Sequence, residues 1–310
     1  MQSVVQSTQR SAFAAGLTLA IAGSILFSAK AIVIKLAYRH GVDAATLLAL
    51  RMVFSVPFFL VALIWASRGA APLTRSDHAR LILIGLLGYY AASYLDFLGL
   101  QYITAALERL ILYLSPTLVV LLSALVLRKR FGRYEWGALA LAYGGIVLVF
   151  WHDVSFEGGQ VVLGSALVFG GAVCYAVYMI ISGELVRKLG AIRLTAYAMC
   201  VSSVAVFAQF AVLNPMSALR QPPEVYWLSV LNAALCTVLP VFFTMLAIER
   251  IGASRASMAS MIGPVSTIAL AYLFLGEPVT IWQVTGTALV LGGIYVLTRA
   301  GKVPASKEET

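Results

Sequence analysis

Long apolar runs alternate with short polar connectors along the whole chain. Runs of roughly 20 apolar residues recur from end to end, the length of a helix that crosses a bilayer. Ten of them fall at about 12–36, 44–66, 80–101, 104–127, 134–151, 161–182, 192–213, 225–248, 253–275 and 280–299. The connectors between them carry turn chemistry, as in HDVSFEGG (152–159), LNPMSALRQPPE (213–224) and LGEP (275–278). No connector is long enough to hold a soluble domain. The pattern predicts an all-α integral membrane protein of about ten transmembrane helices. The first run is too long for a signal-peptide core and lacks a clean small-residue cleavage site, so it reads as a retained helix.

Composition agrees. Of 310 residues, 61% are hydrophobic and 11% charged, against roughly 25% charged in a soluble domain. So little charge cannot cover a soluble surface. The net charge of +9 does not point to nucleic acid, because the charges lie in short loops and not on one face. Their distribution orients the chain instead. One side receives Arg10, Arg68, Arg75, Arg80, RKRFGR (128–133), Arg187, Lys188, Arg193, Arg250, Arg255, Arg299, Lys302 and Lys307; the other receives Arg39 and Arg220. That asymmetry predicts both termini in the cytoplasm and a location in the inner (plasma) membrane. Cys174, Cys200 and Cys236 all sit in apolar runs without paired or zinc-like spacing, and read as small core residues. No cofactor or metal motif is present, so neither is expected.

The chain repeats itself. At an offset of 148 residues, Pro116 meets Pro264, Ile103 meets Ile251, Gly23 meets Gly171 and Phe27 meets Tyr175. ALAYGGI (140–146) meets ALVLGGI (288–294) at the same offset. The implied division is a tail over 1–11, a first repeat over 12–151, an external connector over 152–160, a second repeat over 161–299 and a tail over 300–310. Each repeat holds five helices, an odd number, so the second inserts upside down. Inverted five-helix repeats are an architecture of secondary transporters, with the substrate site near the midplane.

AKAIVIKLAYRHGVDAATLLALRM (29–52) and GLQYITAALERLILYLSPTLVVLLSALVLRKRFGRYEWGALALAYGGIVLV (99–149) resemble the drug/metabolite transporter superfamily, EamA type. ERIGASRASMASMIGPVSTIALAYLFLGEPVTIWQVTGTALVLGGIYVL (249–297) resembles the second copy of the same pattern. Leu275-Gly276-Glu277-Pro278 matches that family's loop before the last helix, whereas the first copy has Leu127-Arg128-Lys129-Arg130 there. The resemblance covers nearly the whole chain. It implies a ten-helix inverted-repeat carrier, usually an exporter of amino acids or other small metabolites, and names no solute.

Five charges interrupt the apolar runs: Lys30, Arg51, Asp96, Glu108 and Arg109. Each costs about 2.5–3.5 kcal/mol at a bilayer centre on insertion scales. At 1.5 Å per residue all five fall about 7–10 Å from the outer ends of their helices, in one layer. They could neutralise one another, with Lys30 or Arg51 on Asp96 and Arg109 or Lys30 on Glu108, locking helices together. They could equally border a substrate path. Three bases against two acids leave one cation over, which suits a carboxylate or phosphate on a solute. In the second repeat the positions of Lys30, Asp96, Glu108 and Arg109 are held by Tyr178, Thr244, Ala256 and Ser257, and Arg51 falls opposite Cys200. The expectation is that Tyr178, Thr244 and Ser257 face the charges from the other half. Tyr90 and Tyr94, and likewise Arg109 and Tyr113, share a helix face at i, i+4 and extend the candidate substrate-binding set. Ala140-x-x-x-Gly144 and Ala288-x-x-x-Gly292 read as close-packing faces.

A secondary transporter of a small polar metabolite, an amino acid or related organic anion or zwitterion, accounts for these features, with export as the expected direction. No ATP-binding motif is present, so a gradient must drive it. The alternatives are a membrane receptor or scaffold, an intramembrane enzyme, and a channel. Against an enzyme, His40, His78 and His152 all fall in connectors, and neither HExxH nor GxSxG occurs. Against a channel, the charges are mixed in sign and confined to one half. The expected partners are a small-molecule substrate and the lipid bilayer, with the chain a monomer or weak homodimer.

Overall fold

The computed structural model describes residues 2–127, 133–251 and 253–300. These residues form ten helical units: α1 (Gln2–Tyr38), α2 (Ala44–Ser67), α3 (Arg75–Gly99), α4a (Ala105–Leu112) with α4b (Ser115–Leu127), and α5 (Arg133–Glu157). The second series is α6 (Gln160–Leu189), α7 (Ala191–Leu213), α8 (Pro223–Ile251), α9a (Ala253–Ala259) with α9b (Ile262–Leu275), and α10 (Ile281–Ala300). Eight units are long and apolar enough to cross a bilayer, and Ile262–Leu275 and Ile281–Leu297 are shorter apolar helices. Val61, Trp65, Val204, Val212 and Leu273 lie exposed on the outside, a surface that lipid solvates and water does not. The chain is an all-α multi-pass membrane protein built as two inverted five-helix repeats.

Local chemistry sets the helix ends. Asp43 accepts the Thr46 amide at 3.0 Å and starts α2. Thr74 and Asp77 cap each other's backbone at the start of α3. Thr104 accepts the Leu107 amide at 3.2 Å and starts α4a. Two expected boundaries move. Residues 2–11, read as a tail, continue α1 as helix. The polar stretch 152–157, read as connector, extends α5, because nothing in it breaks a helix before Gly158, whose φ of +86° ends it. The cationic run 128–132 and the C-terminal stretch 301–310 lie outside the described residues.

The repeat is visible in the packing. Gly16 lies against Arg250 and Ile251, and Gly164, 148 positions on, lies against Tyr102 and Ile103, which are 148 positions before them. Gly23 lies against Pro240, Phe243 and Thr244; Gly171 lies against Ala92, Leu95 and Asp96, again the shifted set. Thus α1 packs on α8 as α6 packs on α3, with backbones approaching where a side chain is missing. The breaks match too. α3 carries a π-turn at Gly85–Ala91 and α8 one at Ala234–Val238. α4 breaks ahead of Pro116 and α9 ahead of Pro264, each proline lacking the amide that its i−4 carbonyl needs.

The α5–α10 seam differs in detail from the expected face. Ala140, Gly144 and Ala288 are exposed. The close approach uses the neighbouring positions: a Cβ on Gly286 would sit 2.6 Å from the Gly145 carbonyl, and one on Gly293 would sit 2.6 Å from the Ala138 carbonyl. The small-residue motif was one helical step out of register.

Candidate functional site

The five intramembrane charges converge from four helices. Lys30 on α1 places its Nζ 2.6 Å from Asp96 Oδ2 on α3 and 3.3 Å from Glu108 Oε1 on α4a. The exposures are 7% for Lys30, 5% for Arg51, 3% for Asp96 and Arg109, and 0% for Glu108. The layer is therefore closed to solvent. Arg51 on α2 stacks over Phe97, 4.9 Å from the ring centroid. Arg109 turns away from Glu108, as neighbours about 100° apart on a helix must. Its guanidinium lies 4.9 Å from the Phe27 ring and 5.2 Å from the Tyr113 ring, and one of its terminal nitrogens donates to Ser28 Oγ at 2.9 Å.

The break in α9 completes this side. Pro264 has no amide for the Ser260 carbonyl four residues earlier. Hydroxyls from the other repeat approach that carbonyl, Ser24 Oγ at 2.8 Å and Tyr113 Oη at 2.6 Å. Ser28 Oγ donates to the carbonyls of Ser24 and Gly263 at 2.8 and 3.0 Å. Gly263 must be glycine here, because a Cβ would collide with the Tyr113 hydroxyl. The break in α4 is treated differently: Ser115 Oγ donates to the Leu112 carbonyl at 2.6 Å within the same turn. So the break in α4 is capped within its own turn, while the break in α9 adds donors from α1 and α4 to its local Gly263 amide at 3.0 Å.

Not every buried polar atom is satisfied. Asp96 Oδ1 and both Glu108 oxygens make no hydrogen bond, and neither do Arg51 Nε and Arg109 Nε. Buried polar atoms without partners are costly. Here they occur with both signs in one place.

Above this layer sits a latch built on one ordinary ion pair and its backbone hydrogen bonds. Lys35 Nζ lies 2.6 Å from Glu277 Oε1 and donates to the Ile103 carbonyl at 2.9 Å. Glu277 Oε2 accepts the Ala105 amide at 3.1 Å, at the N-terminus of α4a, where a carboxylate suits the helix dipole. Arg39 donates to the Leu275 carbonyl at 2.6 Å. Lys35 is five residues beyond Lys30, and Ala105 three before Glu108. The latch therefore covers the charges on two helices and ties the first repeat to the α9–α10 loop. Further round the same end, Asp153 accepts from Thr104 Oγ1 at 3.1 Å and pairs with His152 at 3.2 Å.

The remaining candidates lie elsewhere. Tyr90 and Tyr94 stack on one another at 6.4 Å and pack against the apolar core around Phe97 and Val206. Tyr178 packs on Gly88, Tyr89 and Tyr175, with its hydroxyl 3.2 Å from that of Tyr89. Thr244 is exposed beside Gly23, two turns along α1 from Lys30. The side chain of Ser257 lies outside the described residues. The expectation that Tyr178 and Thr244 face the charges is corrected, and the reason is geometric. An inverted repeat turns depth over, so partners of residues near one membrane face lie near the other. Ser24, Ser28, Phe27 and the Ser260 carbonyl border the charged layer and join the candidate site, though the sequence expectation did not include them. The signal for the carbonyl was present, since Pro264 leaves it without its helical donor.

Comparison with known proteins bears on the whole chain. The profile of the EamA-like transporter family matches residues 14–151 and 162–299. A Bacillus subtilis (strain 168) protein named "Uncharacterized transporter YcbK" is 31% identical over 304 residues, covering 95% of each chain. "Uncharacterized transporter YyaM" of the same organism is 26% identical over 282 residues, covering 88% of this chain and 86% of its own. A solved structure titled "Crystal structure of protein" superposes with a TM-score of 0.64 at 17% identity, covering 94% of this chain and 99% of that one; it supports the fold alone.

Proposed function

Because this chain belongs to the EamA-like transporter family, we propose that it is a secondary transporter for a small metabolite carrying a carboxylate, an amino acid or a related organic anion or zwitterion. The observation that carries the reading is the closed layer of Lys30, Arg51, Asp96, Glu108 and Arg109, with unpartnered donors and acceptors side by side. A structural lock has no use for orphan atoms, whereas a site awaiting a polar solute does. Arg109 offers its fork to a carboxylate, with Ser28 and Tyr113 holding its geometry and Phe27 as an apolar wall. The transporter names of the relatives support transport over enzyme chemistry.

Alternating access between the two repeats fits the latch. Lys35 and Glu277 join α1 and the α9–α10 loop across the repeats, so parting them opens a route to the charges from that end. The Lys and Arg distribution supports cytoplasmic termini in the inner membrane, which makes the latch external. Export is carried by the family resemblance.

The test is metabolite profiling of cells with and without the protein, followed by flux of each candidate in proteoliposomes. The expected outcome is a carboxylate-bearing solute whose flux is lost in Arg109→Gln. Flux confined to solutes with no carboxylate would end this reading. Reporter fusions at Thr310 and at Gly158 should report opposite sides of the membrane.

A further inference from the structure

We propose that Asn232 and Arg51 form a second polar subsite where α8 packs on α2, and that it takes a primary carboxamide on the side chain of the solute. The inference rests on the amino-acid reading above and adds the side-chain class to it.

Asn232 stands in α8, wholly buried, and neither atom of its side-chain amide has a partner. Its polar neighbours on the same helix are served locally. Ser229 Oγ donates to the Val225 carbonyl at 2.7 Å, and Thr237 Oγ1 donates to the Asn232 carbonyl at 2.9 Å. The fold does not ask for an amide here. The mate of Asn232 at the offset of 148 is Ile84, equally buried in α3, so an apolar side chain fills the same place. A buried amide without a partner is costly, and a π-turn follows it at Ala234–Val238, a distortion common at functional sites.

Two registers carry Asn232 to the charged layer. α1 and α8 run antiparallel, with Gly16 against Arg250 and Ile251, and Gly23 against Pro240, Phe243 and Thr244. Seven residues further along α1 and seven back along α8, Lys30 meets Cys236. The other repeat makes the same step, because Gly88 packs on the Tyr178 ring, and Cys236 and Lys30 are their mates at 148. Contacts survive the inversion although depths do not. Asn232 is one turn before Cys236 on the same face. The second register is that of α2, which runs parallel to α8 and packs on it. These helices start at Ala44 and Pro223. Arg51 and Asn232 lie about 10 and 13 Å in at 1.5 Å per residue. Ten residues further along both helices, Val61 and Phe242 line one groove, so the register holds. Arg51 is 5% exposed, stacks on Phe97 and leaves its Nε without a partner.

Three bare atoms therefore face a solute here: Arg51 Nε and Asn232 Nδ2 as donors, and Asn232 Oδ1 as acceptor. The donor and acceptor of an asparagine amide point in parallel, so a group with an acceptor and a donor side by side meets them in line. A primary carboxamide is such a group. Its N–H donates to Asn232 Oδ1, and its oxygen accepts from Asn232 Nδ2 with one lone pair and from Arg51 Nε with the other. A carboxylate serves the two donors but sets an oxygen against Oδ1. A thioether or alkyl chain serves none. The carboxylate of the solute stays with Arg109, and Lys30 links the two subsites, sharing the Phe27 ring with Arg109.

The probes are L-glutamine and L-asparagine, with L-glutamate and L-methionine as carboxylate and apolar controls. Efflux of each from proteoliposomes is compared for the full chain and for Asn232→Leu, which is close in shape. In the wild type one of the two amides should leave at least about tenfold faster than either control, because a site built to hydrogen-bond a group rejects analogues without it. That ratio should fall to about one in Asn232→Leu. The variant should also melt at or above the wild-type temperature, since leucine replaces an amide that has no partner. Amides no faster than the controls, a preference that survives the substitution, or a variant that melts well below the wild type each overturn the subsite. In those cases the carboxylate reading stands if Arg109→Gln stops the flux that remains. If none of the four solutes moves, the subsite falls, and the metabolite profiling above decides the amino-acid reading by itself.

Discussion

The two repeats solve the same packing problem with opposite chemistry. In the first, Lys30, Asp96, Glu108 and Arg109 gather in one buried layer. In the second, the same positions hold Tyr178, Thr244, Ala256 and Ser257. Yet the glycines that bring α1 to α8 and α6 to α3 match residue for residue at an offset of 148. The fold is therefore carried by small residues shared between halves, and the charges are an addition the fold does not need. A structural lock demanded by the architecture would recur in both halves. This one does not, and that difference is the strongest reason to read it as a site.

The largest expected effect tests whether the charged half depends on its pairs. Lys30→Gln leaves two carboxyls facing each other without their shared cation. Breaking a buried pair from one side costs about 3–5 kcal/mol, so thermal unfolding in detergent should show a loss near the low end of that range. Thr244→Val at the mate of Asp96 is exposed and should stay within about 0.5 kcal/mol. Equal losses at the two would mean that the halves are not chemically distinct.

The scaffold should fail symmetrically. A Cβ on Gly171 would lie 2.9 Å from the Ala92 carbonyl, and one on Gly23 would lie 3.2 Å from Phe243 Cβ. Gly171→Leu and Gly23→Leu should each lose about 1–3 kcal/mol from overpacking. Gly292→Leu, with nothing within 4 Å of its Cβ, is the control and should be close to neutral. If Gly23→Leu melts like the control, the matched contacts do not bear on stability.

The repeat, the ten helices and the gathering of the charges in one layer were legible because they rest on counts and spacings. Lys30 on Asp96 was one of the pairings that depth alone allowed. What stayed hidden has physical causes. Ser24 and Ser28 are ordinary in an apolar run, and their roles depend on a carbonyl in α9 more than 230 residues away. Tyr178 and Thr244 were misplaced because sequence superposition preserves position along the helix but not depth once the repeat is inverted. Tyr90 and Tyr94 do share a face, but periodicity cannot say whether a face meets core or cavity.

The latch should shift accessibility more than stability. Lys35 and Glu277 are partly solvated, with side chains 24% and 13% exposed, so their pair is worth about 1 kcal/mol or less. Glu277→Gln also weakens the cap on the Ala105 amide. Hydrogen–deuterium exchange of the 105–112 amides should quicken about fivefold, the factor that about 1 kcal/mol allows, while the corresponding exchange in α9a stays as it was. Unchanged exchange at 105–112 would show that the latch does not hold that end closed.

The smallest effect compares two tyrosine hydroxyls. Tyr113 Oη donates to the Ser260 carbonyl at 2.6 Å across the repeats, where Pro264 removes the i+4 amide and leaves the Gly263 amide at 3.0 Å as the one backbone donor among the described contacts. Tyr178 Oη lies 3.2 Å from another hydroxyl, that of Tyr89. Removing a single neutral hydrogen bond typically costs about 1 kcal/mol, and Tyr113→Phe should lose roughly that much. Tyr178→Phe should lose less, because Tyr89 can turn its hydroxyl to another acceptor. The more telling measurement is a double-mutant cycle with Ser24→Ala. Ser24 and Tyr113 share one carbonyl, so removing either makes the other more valuable, and their effects should exceed additivity by about 0.5 kcal/mol or more. The same cycle between Ser24→Ala and Tyr178→Phe should be additive. Additivity in both cycles would mean that the two hydroxyls of the first repeat do not share the hold on the break in α9.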